Sequence, residues 1–149
     1  MLNVRLAPVL LLCAASSAGA AEALPRGAYA IDAALQIPNV NGPSWKATRY
    51  VCLDPGQSDA RMPVPVLSPN NPFGACATER LVRTDTELRY HIACPGRGAA
   101  RAEASYKLGP DVFHGQIAMV LGAKNMTLTE FQTAHRLGDC GPDAAASQP

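Results

Sequence analysis

The cysteines constrain this chain more than any other residue type. Five are present, at positions 13, 52, 76, 94 and 140, and none has the Cys-x-x-Cys or paired Cys/His spacing of a zinc site, haem attachment or thioredoxin-type centre. Cys13 falls in a leader: Arg5 supplies a positive charge, residues 6–15 are apolar apart from Pro8, and Ala18-Gly19-Ala20 supplies small residues for cleavage. We read residues 1–20 as a secretory signal peptide. Lipid attachment at Cys13 is disfavoured because Leu12 stands where a small residue is needed. Removing the leader leaves Cys52, Cys76, Cys94 and Cys140, an even set that reads as a disulfide framework in an oxidising compartment.

The remaining sequence is patterned for strands and turns. Strands are expected over 27–37 and 44–52, separated by Pro38, Gly42 and Pro43. Residues 53–75 carry Pro55, Pro63, Pro65, Pro69 and Pro72, which leaves a long loop without a regular element. Within it, Met62-Pro63-Val64-Pro65-Val66 favours extended polyproline geometry. Such a loop is expected to lie over a barrel mouth as a lid or to present residues 62–67 to a partner.

Residues 76–94 read as a β-hairpin with Thr84-Asp85-Thr86 at its turn. Setting Arg83 opposite Glu87 pairs Val82 with Leu88, Arg80 with Tyr90, Thr78 with Ile92 and Cys76 with Cys94 on one mostly apolar face. The other face pairs Leu81 with Arg89, Glu79 with His91 and Ala77 with Ala93. This register favours Cys76–Cys94 and leaves Cys52 for Cys140, among the three pairings that four cysteines allow.

Further strands are expected over 100–108, 112–121 and 126–137, the last carrying Leu128, Phe131 and Leu137. The result is an all-β chain, an antiparallel meander of roughly seven strands curled into a small barrel or a strongly bent sheet. It forms a single disulfide-stapled domain over 21–140, with 141–149 as a flexible tail.

Several features together resemble the exported bacterial family catalogued as domain of unknown function 3617. They are the leader, the first strand with Gly27, the segment Tyr50-Val51-Cys52-Leu53, the Cys76–Cys94 hairpin and the Met- and Thr-bearing hairpin around 119–133. The most specific is the ending Arg136-Leu137-Gly138-Asp139-Cys140. Gly27-Ala28-Tyr29 departs from that family's Gly-x-Trp by one aromatic exchange. The resemblance implies an exported, disulfide-bonded β domain and no particular activity.

Formal net charge is +1 and no block of like charges occurs, so nucleic-acid binding by a basic face is not expected. After the leader no apolar run approaches the roughly 20 residues of a membrane helix. No Gly-x-Ser-x-Gly elbow and no phosphate-cradling glycine pattern is present. His91, His114 and His135 are the candidate metal or acid–base groups, and a metal-dependent hydrolase built on them is the enzymatic alternative. The favoured reading is a non-enzymatic periplasmic domain of a Gram-negative bacterium, without cofactor, binding an apolar small molecule or an envelope protein. Trp45, Tyr50, Phe73, Phe113 and Phe131 are its candidate contacts. A purely structural envelope protein is the third possibility.

Overall fold

The computed structural model describes residues 24–54, 56, 62–69, 71–96, 98–122 and 126–141. The expected signal peptide, all of the tail beyond Gly141 and parts of the proline-rich loop lie outside them. Seven strands form: β1 (Gly27–Gln36), β2 (Trp45–Leu53), β3 (Ala77–Arg83), β4 (Glu87–Ala93), β5 (Arg101–Leu108), β6 (Val112–Leu121) and β7 (Met126–Gly138). They make one antiparallel sheet in the order β2-β1-β7-β6-β5-β4-β3.

That order is an up-and-down ring with one junction missing. Each strand neighbours its successor and β7 returns to β1, but no ladder joins β2 to β3. The sheet is therefore open, and the barrel expected from the strand count does not close. The reason is the connection between those two strands. A chain crossing from one edge to the other spans six inter-strand steps, roughly 29 Å. The proline-rich segment makes this crossing as a strap over one face instead of turning tightly from β2 into β3.

The strap supplies the second layer of the core. Val64, Val66, Leu67 and Phe73, together with Leu24, are buried with Ile31, Leu88, Tyr90, Ile92, Phe113 and Ile117 from the sheet. Burying each large apolar side chain contributes about 1.5–3 kcal/mol. Residues 62–67 are thus inside the protein, not presented to a partner. Pro72–Ala75 forms a short 3-10 turn, where the sequence had suggested no regular element, and Asn71 caps it by accepting from the Phe73 N–H at 3.1 Å.

The hairpin register holds at its open end and slips toward its turn. Ala77 faces Ala93, Thr78 faces Ile92 and Glu79 faces His91, but Val82 faces Arg89 and Arg83 faces Leu88. A bulge between Glu79 and Val82 absorbs the shift, with Arg80 at φ 52°. The uninterrupted register would place Arg80 against buried Tyr90. The bulge turns Arg80 outward and lets Leu81 pack against the core, leaving Val82 54% exposed. The turn tightens accordingly, with the Thr84 N–H donating to the Glu87 carbonyl at 2.9 Å.

Disulfides join Cys52 to Cys140 and Cys76 to Cys94, with Cα separations of 5.6 and 4.4 Å. The first ties β2 to the end of β7 across β1, and the second fastens the strap's C-terminal end to β4. In the ending 136–140, Arg136 donates to the Arg26 carbonyl and to Asp139 at 3.0 Å, while Gly138 adopts φ 142°. That backbone conformation, which suits glycine, lies just before Cys140. On the chain-entropy relation, losing Cys52–Cys140, with a separation of 88, costs about 4.6 kcal/mol, against about 3.2 kcal/mol for Cys76–Cys94, with a separation of 18. Denaturant titration of the two paired Cys→Ala variants should return that order.

Candidate functional site

Strand alternation divides the sheet into a face covered by the strap and an open face. On the covered face, polar side chains hold the strap's backbone. The Glu130 carboxylate accepts from the Leu67 and Ser68 N–H groups, both at 2.8 Å. Gln132 donates to the Pro65 carbonyl at 2.9 Å and to Glu130 at 2.6 Å, and it accepts from the Tyr106 hydroxyl at 3.0 Å. Tyr90 donates to the Val64 carbonyl at 2.5 Å. Glu130, Gln132, Tyr90 and Tyr106 are all buried.

This network is structural. Its oxygens and nitrogens meet one another or the strap backbone, and its burial puts it out of reach of a substrate. Tyr90 and Tyr106 stack with centroids 6.3 Å apart, and Phe113 meets Tyr106 edge-on. Gly115 lies opposite Tyr106, and a Cβ there would strike the Tyr106 ring and the Ser105 carbonyl. Desolvation raises both phenols well above their ordinary range. Glu130 adds to the rise at each.

A raised folded-state pKa stabilises the fold below the unfolded value, and that contribution is lost as pH climbs past it. Stability should therefore be flat approaching pH ~10, the unfolded tyrosine range, and fall above it. Tyr90→Phe should cost about 1–2 kcal/mol at neutral pH by leaving the Val64 carbonyl unmet, and should soften the alkaline loss. Glu130→Gln should cost about 2 kcal/mol, since an amide offers one acceptor oxygen where two N–H donors point. Chemical denaturation from pH 7 to 11 measures all three.

The open face is different in kind. Phe131 lies on β7 between Ala34 of β1 and Gln116 of β6, and is 43% exposed. A shallow depression lies on each side of it. One, about 490 Å³, is bordered by Arg89, Ser105, Lys107, His114 and Gln116. The other, about 450 Å³, is bordered by Asp32, Ala34, Lys46 and Thr48. Thr133 borders both. On the β1 side the ring has only the small Ala34 beside it, and on the β6 side the exposed Gln116. Toward one end of this face Tyr50, Val112 and Leu137 are also exposed, at 59%, 40% and 59%.

The candidate contacts therefore separate. Tyr50 and Phe131 are exposed. Trp45 is half-buried at the sheet edge with the Arg49 guanidinium 5.9 Å from its ring. Phe73 and Phe113 are core residues and face no partner, because one lies in the strap layer and the other packs against Tyr29 and Tyr106. The histidines are not gathered. His91 sits on β4 between Glu79 and Glu103, whereas His114 and His135 are diagonal neighbours on β6 and β7. Among the described residues no group of three or more His, Cys, Asp or Glu is placed to hold a metal ion. Sequence reasoning missed Glu130 and Gln132. The signal was available, since closing the last hairpin with Leu121 opposite Met126 puts Ile117 opposite Glu130 and sends Phe131 to the other face.

No family model, no curated protein and no solved structure matches this chain. Among the described residues no helix is long and apolar enough to cross a membrane.

Proposed function

We propose that this chain is an exported, non-enzymatic binding domain, periplasmic in a Gram-negative bacterium, whose open sheet face docks a protein partner. The disulfide pair supports an oxidising compartment. The leader expected over residues 1–20 supports export. The observation that carries the binding reading is Phe131, an aromatic ring standing between two depressions on an uncovered face. Exposed aromatics flanked by polar rims are the usual anchors of protein interfaces. An apolar small molecule is the weaker occupant, because Val64, Val66, Leu67 and Phe73 already fill the space a barrel ligand would take. The separated histidines give the hydrolase no assembled site.

A photo-cross-linking residue at position 131, compared with one at Asp85 in the hairpin turn, tests this in periplasm-producing cells. Position 131 should trap one envelope protein and position 85 none. Native mass spectrometry of unreduced material should show the same partner lost on Phe131→Asp, with affinity reduced about thirtyfold or more. A bare monomer with no cross-link, or an organic adduct that survives Phe131→Asp, would overturn it.

A further inference from the structure

The two edges of the sheet are not equivalent. The β3 edge is blunted: its register breaks at the Arg80 bulge, and Glu79, Arg80 and Arg83 place charges along it. Natural sheets protect their edges with such devices against pairing with other chains. The β2 edge has no bulge. Nine consecutive pairs join Trp45–Leu53 to β1, from Leu35↔Trp45 to Gly27↔Leu53, and no proline interrupts the strand. On its outer side no strand pairs with it among the described residues. Lys46, Thr48, Arg49 and Tyr50 are exposed along it.

Its charge is one-sided. Lys46 and Arg49 are three residues apart on opposite faces of the strand, and β2 carries no acid. Asp32 of β1 accepts from the Thr48 hydroxyl and borders the same depression as Lys46, and Asp54, beyond the strand end, pairs with Arg26. A second copy of β2 would bring four cations into one ladder. An acidic strand would match both.

We infer that β2 is a strand-addition site for an extended acidic segment of another protein, one with carboxylates three residues apart to meet Lys46 and Arg49. Backbone hydrogen bonds would supply affinity, and the two cations register and selectivity. Lys46 also borders one of the depressions beside Phe131, but the inference rests on the unpaired backbone edge of β2 and not on that ring.

The probe is the blocked peptide Ac-Val-Thr-Glu-Val-Val-Glu-Thr-Val-NH2, added to the oxidised chain and followed by amide chemical shifts and hydrogen exchange. Shifts and slowed exchange should concentrate in β2 from 45 to 51. Replacing both Glu by Lys should weaken binding at least about tenfold, and the double variant Lys46→Glu, Arg49→Glu should invert that preference. N-methylating the amides along both edges of the peptide should abolish binding, which separates strand addition from simple charge attraction. Phe131→Ser, which adds no charge beside Lys46, should leave all of this unchanged. Binding that survives N-methylation, shifts centred on Phe131, β2-mediated dimers, or no binding at millimolar peptide would each overturn the inference.

Discussion

Prolines in the strap dictate which residues the sheet must carry on its buried face. Pro63 and Pro65 have no N–H, so the strap cannot pair as an interior strand would. Yet it lies over the core, where an unmet backbone group costs roughly 1–3 kcal/mol. Side chains must therefore do what a neighbouring strand would normally do. Tyr90 meets Val64, Gln132 meets Pro65, and Glu130 meets Leu67 and Ser68. A carboxylate in an apolar core would be destabilising alone; here its oxygens find two backbone donors and an amide. The network fixes the strap's position along the sheet as well as its presence, which apolar packing of Val64, Val66 and Leu67 would not do.

The same strap explains why the sheet is open. The strand order would close a ring if β2 turned directly into β3. Covering the inner face with a cross-running segment fills the volume that closure would enclose, leaving two edges. The disulfides then secure what closure would have secured: Cys52–Cys140 locks the first hairpin to the last strand, and Cys76–Cys94 locks the far end of the strap. A small domain gains from these covalent ties because they restrict the unfolded chain.

Much of this was legible from residue order. Strand limits from turn residues fall within a residue or two of those observed, since Pro, Gly and Asn punctuate this chain clearly. Register was legible only where a single alternation decided it. At Ala77–Glu79 the reading holds, and beyond it the energy of keeping Arg80 out of the core outweighs a continuous ladder. The site was less legible, for a physical reason. Aromatic side chains serve as core and as contact alike, so Phe73 and Phe131 cannot be told apart by type. Glu130 and Gln132 look like solvent-facing residues until one knows that a proline-rich backbone needs them.

One consequence joins the buried network to the exposed surfaces. Strand alternation is strict, so assigning Glu130 and Gln132 to the strap forces Phe131 between them onto the opposite face. An interior strand of a sheet covered on both sides would read apolar at every position; β7 instead puts Glu130 and Gln132 inward and Phe131 outward, among Thr129, Thr133 and His135. That inversion leaves no freedom to hide Phe131 without surrendering the contacts that hold the strap. The ring's exposure therefore follows from the constraint that holds the core together. The blunted β3 edge shows that the fold does protect surfaces when sequence permits, so the unblunted β2 edge stands out against a local standard.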